Sequence, residues 1–267
     1  MNGYVEIEVP NEGVADINYK VLVKERKNAP RVILMHEIYG LNKECLEFAD
    51  RLHNDGFSVY LPLFFGEPGE TDTRRGLKFC LSKEFMKFSG ENGESQVISW
   101  LRGLCRHLNS DSDGKIGVIG MCMSGGFALA MAVEDGVAAP VIGHPTRAFR
   151  RGGADTNPKI IGISERTVDY ACNEIIRQDK KIIGFRLPFD QFSPNRIMDR
   201  LEDRLDDRLE VFQPKAVECF RNGPNPFKHS LLTSSYPSNP EAKPNNTAVK
   251  AYEKLKFFLT NNLQVRT

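Results

Sequence analysis

The sequence predicts an α/β fold with a mostly parallel central sheet covered by helices on both faces. Short apolar runs without alternation, such as "RVILMH", "FSVYLPLFF" and "KIGVIG", suit strands buried on both sides. Amphipathic segments with apolar residues three and four apart lie between them. The two kinds alternate along the chain, which is the rhythm of parallel strands joined by crossover helices.

The elements follow in order. "GYVEIEVP" and "NYKVLVKE" alternate as half-exposed strands do, on either side of the "NEG" turn. "RVILMH" is the first buried strand. Lys43 to Asn54 reads as a helix with Leu46, Ala49, Leu52 and His53 near one face, ended by Gly56 before "FSVYLPLFF". "ESQVISWLRGLCRHL" places Val97, Trp100, Leu101, Leu104, Cys105 and Leu108 on a second helix. "KIGVIG" is a further strand, and "GGFALAMAV" is a helix whose small residues allow close packing on a sheet. "AAPVIG" and "KKIIGF" are two more strands, and "KAVECF" is read as the last. Residues 199–210, "DRLEDRLDDRLE", form a helix docked by Leu201, Leu205 and Leu209, with Arg200–Asp203 and Arg204–Asp207 as i,i+3 pairs. The stretch from Arg221 to Asn246 is rich in Pro, Asn and Ser and reads as a long loop, which in a compact domain is usually functional or disordered.

At 267 residues and 40% hydrophobic content the chain can bury one large core, so a single domain over 1–267 is expected. Lys plus Arg number 36 against 35 Asp plus Glu, interspersed, for a formal charge of +1. That balance gives no footprint for nucleic acid or an anionic membrane. The N-terminal residues have no basic and apolar leader pattern and no run approaches membrane-spanning length, so a cytoplasmic protein is expected. The six cysteines, Cys45, Cys80, Cys105, Cys122, Cys172 and Cys219, show no CxxC spacing, so free thiols are expected. The five histidines form no metal-binding motif, and no metal site is expected.

Chemistry is expected at the carboxyl ends of the strands. After "KIGVIG" comes Gly120-Met121-Cys122-Met123-Ser124-Gly125-Gly126. A nucleophile carried on a sharp strand-to-helix turn needs small flanking residues, and Cys122 takes the central position of such a G-x-S-x-G-type elbow. Ser124 stands where the pattern has its last glycine, and in a second register Ser124 itself is the nucleophile. A thiol at a helix N-terminus still needs a histidine partner, and the order nucleophile, acid, histidine favours His229, on the loop after the last strand, over His144. Asp190, a few residues after "KKIIGF", is the leading acid. Glu165 and Asp169, after the possible strand "PKIIGI", are the alternatives.

"HEIYGLN", "GMCMSGG" and the late "KHS" together resemble the dienelactone hydrolase family of the α/β-hydrolase superfamily, over nearly the whole span from "RVILMHEIYG" to "KHSLL". The resemblance implies an α/β-hydrolase fold and a cysteine-dependent carboxylic ester or lactone hydrolase without metal or organic cofactor. It implies Cys122 as nucleophile, His229 as base and Asp190 as its orienter. Glu37 corresponds to a glutamate that meets the resting thiol, and Ile38 and Met123 supply the oxyanion-hole N–H groups. Family members that cleave an anionic lactone carry an arginine four residues after the histidine; here Thr233 stands there, and Arg74 or Arg75 is the candidate substitute. The expected partner is a small-molecule ester or lactone, with monomer and homodimer both open. A non-catalytic binding relative and a serine esterase using Ser124 are the alternatives.

Overall fold

The computed structural model describes residues 3–9, 17–71, 73–80, 95–110, 114–146, 149–150, 153–154 and 161–263. The central sheet is built from β1 (Val5–Glu8), β2 (Lys20–Lys24), β3 (Arg31–Met35), β4 (Ser58–Pro62), β5 (Ile116–Met121), β6 (Val137–Gly143), β9 (Ile182–Phe185) and β10 (Leu209–Phe212), while β7 (Phe149–Arg150) and β8 (Gly153–Ala154) form a separate small hairpin. The strand order is β1-β2-β4-β3-β5-β6-β9-β10. β1 and β2 pair antiparallel, β2 joins β4 antiparallel, and every other pairing in this sheet is parallel.

The unalternating runs are buried for the reason anticipated. β4 and β5 are buried along their whole length, because helices cover both faces of the sheet. On one face lie α1 (Lys43–Asn54) and α8 (Thr247–Leu263), which contribute Phe48, Leu52, Tyr252 and Leu259 to one core. On the other lie α3 (Gln96–Ser110), α4 (Gly125–Met131), α5 (Glu165–Arg177) and α6 (Asn195–Leu205), which contribute Leu101, Phe127, Val168 and Leu201. Between β4 and α3 the chain forms α2 (Thr73–Cys80), and α7 (Ala216–Asn222) precedes the long loop. α1 keeps its expected bounds: Asn42 caps it by accepting from Cys45 N–H at 3.0 Å, and Gly56 follows it at φ +104°.

Three expectations change. "KAVECF" is not the last strand but contributes most of α7, where Val217 and Phe220 are exposed and Cys219 alone is buried. The last strand is β10, directly after the leucine helix. That helix ends at Leu205, because Asp206 takes φ +50° and breaks the ladder, so Leu209 opens β10 instead of extending the stripe. The ion pairs its arginines form run across to α5, Arg200 with Glu165 and Arg204 with Asp169 at 2.5 Å, where i,i+3 pairs with Asp203 and Asp207 are expected from the sequence. For "PKIIGI", residues 158–160 lie outside the described residues, and Ile161–Ser164 contain no strand.

Candidate active site

β3, β5, β6 and β9 are neighbours, so the loops at their carboxyl ends converge. Each supplies part of one cluster.

The turn after β5 is strained. Cys122 has φ +56°, a left-handed conformation that strains any residue except glycine. The surrounding small residues are required by contact. A Cβ on Gly120 would sit 2.1 Å from the carbonyl oxygen of Ser124, and one on Gly126 would sit 2.4 Å from that of Ile161. Gly120→Ala is therefore expected to lose several kcal/mol of stability or prevent folding, because the obstruction is backbone; thermal denaturation of the purified variant measures this.

Ser124, the departure from the glycine pattern, is fully buried and its hydroxyl is engaged by the turn itself. It accepts from Met121 N–H at 2.9 Å, and its Oγ lies 2.8 Å from the Met121 carbonyl and 3.2 Å from the Met35 carbonyl. The hydroxyl thus ties the elbow to β3 and faces away from solvent. Cys122 Sγ instead points to Thr146 Oγ1 at 3.9 Å, with Thr146 N–H donating back to the Cys122 carbonyl at 3.1 Å.

The acid and histidine loops meet beside it. Asp190 Oδ2 lies 2.7 Å from His229 Nδ1, and Oδ1 accepts the backbone N–H groups of Phe192 at 2.9 Å and Ser193 at 3.1 Å. An ionised carboxylate only accepts, so Nδ1 carries the proton and Nε2 is left for another partner. Nε2 is buried without a hydrogen bond of normal length, and the group that acts on this side of the ring is Cys122. Burial opposes a cationic His229, but attraction to Cys122 and then the bond to Asp190 outweigh it and push the imidazole up to about 11. Glu165 and Asp169 are instead spent on the exposed bridges to α6.

Glu37 follows β3 and is held by three donors. Ser230 and His144 Nε2 (3.2 Å) both bond its Oε1, as does Thr233 Oγ1 at 2.9 Å. Burial works against its charge, yet the His144 bond, the pull of the His229 charge and the Ser230 hydroxyl hold the carboxyl well below its usual range. Thr233, at the position of the missing arginine, thus supplies a hydroxyl to Glu37. All three of these bonds go to Oε1 of the carboxylate.

Two histidines that the chain order did not single out belong to the cluster. His144, buried at the end of β6 with φ +33°, stands edge-on to His229 with ring centres 4.7 Å apart. Burial leads in lowering its pKa, and the nearby His229 charge adds to that, so it is the neutral donor to Glu37. His36 accepts from Phe64 N–H at 3.2 Å and donates through Nδ1 to the Glu37 carbonyl at 2.7 Å, which fixes the loop that carries Glu37; burial lowers its pKa to about 4. The following turn closes with Gly40 N–H donating to the Glu37 carbonyl at 3.1 Å, and it contains Ile38. Met123 lies in the first turn after the elbow, where N–H groups lack intrahelical acceptors. Arg74 and Arg75 are exposed on α2.

The model of the dienelactone hydrolase family matches residues 19–209. The chain belongs to that family. It has the α/β-hydrolase fold, and at the level of the family its chemistry is that of hydrolases. Solved structures with the same fold include a dienelactone hydrolase from Anabaena variabilis (14% identity, 98% of this chain and 100% of that one, TM-score 0.58). A dienelactone hydrolase-like promiscuous phosphotriesterase from metagenomic libraries (13%, 97% and 98%, TM-score 0.57) is similar too. So is an esterase from Pyrococcus furiosus (14%, 97% and 92%, TM-score 0.55). No curated sequence matches the chain. Among the described residues, no helix is long and apolar enough to cross a membrane.

Proposed function

We propose that the protein is a cysteine-dependent hydrolase of small, neutral carboxylic esters or lactones, acting through an acyl-enzyme. The observation that carries this reading is the strained Cys122 beside a His229 whose other nitrogen is bound to Asp190 at 2.7 Å. The thiol gives its proton to His229 Nε2, and Sγ attacks the carbonyl carbon. The resulting oxyanion is held by the N–H groups of Ile38 and Met123. As the carbonyl re-forms, the C–O bond to the alcohol breaks and His229 returns the proton to the departing oxygen. Water then gives a proton to His229 and attacks the thioester; the C–S bond breaks, the acid leaves and the thiol regains its proton. Asp190 keeps the imidazole in the productive tautomer throughout. Glu37, an ionised group next to both imidazoles, favours the cationic form of His229.

The same carboxylate argues for neutral substrates. Glu37 is held by hydroxyls and a neutral imidazole, and Thr233 offers no guanidinium to a substrate anion. A lactone presented as its neutral amide is expected to be preferred over the free acid on the order of 100-fold in kcat/KM. A strong preference for the acid that disappears when Arg74 or Arg75 is changed to Ala would contradict this and assign anion binding to α2. The nucleophile is tested by iodoacetamide: one equivalent should label Cys122, and a slowly turned-over ester should protect it. A serine esterase would instead be phosphonylated at Ser124, whose hydroxyl is committed to the Met121 and Met35 backbone.

A further inference from the structure

Three exposed phenylalanines lie on the two loops that carry the acid and the histidine. Phe189, Phe192 and Phe227 are 45%, 60% and 57% exposed. A lone exposed aromatic needs no explanation, but several on the loops beside a reactive group do. The Phe192 ring is 5.5 Å from that of His229, edge to face, and Phe189 and Phe227 stack at 5.1 Å. Their backbone is fixed by the catalytic loops: Asp190 Oδ1 takes the Phe192 N–H, and Phe189 N–H donates to the Pro226 carbonyl at 3.1 Å, joining one loop to the other. The carboxylate that orients the imidazole therefore also sets where Phe192 stands.

We infer that Phe192, with Phe189 and Phe227 on the same two loops, forms a subsite for an apolar alcohol portion of the substrate, an aryl or alkyl group attached to the ester oxygen. The inference rests on the hydrolase reading above. The general acid must touch the departing oxygen, so whatever that oxygen carries emerges alongside the His229 ring, and Phe192 flanks that ring. No cationic side chain makes a described contact with these three rings, and aromatic faces recognise apolar groups by area and stacking.

Two ester series of matched size test this with the full chain: acetates of methanol, butanol and benzyl alcohol, and methyl esters of acetic, pentanoic and phenylacetic acids. With the unaltered protein, kcat/KM should rise roughly tenfold or more from methyl to benzyl acetate, since each methylene placed on an apolar surface is worth a few-fold. In Phe192→Ala the benzyl-to-methyl ratio should fall by about tenfold, while the ratio in the acyl series stays as it was. Phe192→Leu, which keeps apolar area but no ring, should fall between the two and provides the comparison if the alanine variant does not fold. A benzyl-to-methyl ratio near one, or one that Phe192→Ala leaves unchanged while esters are still cleaved, overturns the subsite and leaves the hydrolase reading standing. So does a loss in the acyl series alone, or an unchanged ratio with a Phe192-dependent change in oligomeric mass, which would assign the rings to contact between copies. Failure to cleave any ester by a protein whose Cys122 still reacts with iodoacetamide overturns both.

Discussion

Cys122→Ala is expected to lower kcat/KM for a neutral ester by at least about 10⁴-fold, because the nucleophile acts with its partners as one unit and none can replace it. The effect on the fold is expected to be small. Cys122 is 6% exposed, its thiol contact to Thr146 is long, and alanine can occupy the same left-handed conformation at a similar backbone strain. Thermal stability should stay within about 1 kcal/mol of the parent. Ester turnover by fresh protein, read beside the melting curve, separates loss of chemistry from loss of structure. Activity near that of the parent would remove the cysteine mechanism, since Ser124 is turned into the backbone and cannot substitute without rebuilding the elbow.

The second large effect is expected at the histidine and its acid. His229→Ala should approach the cysteine variant, and Asp190→Asn should cost on the order of 10³- to 10⁴-fold, because an amide can donate to Nδ1 and trap the wrong tautomer. Glu165→Gln and Asp169→Asn should change activity less than about twofold, as exposed ion pairs contribute little. The pH profile carries the sign. His229 is raised by Cys122 and Asp190, and the attacking pair is thiolate with imidazolium, so activity is lost as pH rises through the histidine's pKa. Removing the Asp190 charge lowers that pKa, and the alkaline limb of kcat/KM should move to lower pH. A limb that stays in place would mean that Asp190 does not support the cation.

The sheet was legible in the sequence where local pattern and tertiary environment agree. "RVILMH" and "KIGVIG" have no alternation because both faces are covered, and Lys43 to Asn54 is flanked by a capping Asn42 and a terminating Gly56. "KAVECF" reads as a strand yet forms a helix, because a short apolar run fits both equally. The Glu218 carboxylate, accepting from Lys215 N–H at 2.8 Å, favours the helix entry in the structure. The third leucine of the 199–210 run left its helix because Asp206 adopts φ +50°, which no periodicity count registers.

In the site, chain order points to Cys122, Asp190 and His229 but passes over His144, because it makes the histidines compete for one role. The adjacency of β6 to β5 and β9 places His144 and His229 ring to ring, with Glu37 behind them. The same holds for Thr233: its sequence position recorded a missing arginine, while only the folded loop shows the hydroxyl returned to Glu37. The signal that could have raised His144 is its place directly after a buried strand at the carboxyl edge, the same signal used for Glu37.

The most direct measurement of the central claim is the intact mass of the protein quenched during turnover of an activated acetate ester, followed by mapping of the modified peptide. The account predicts one acetyl group per chain, on Cys122, formed in a burst and released by water, and retained longer in Asp190→Asn. Turnover with no covalent adduct, or an acetyl group on Ser124 or another residue, would contradict it.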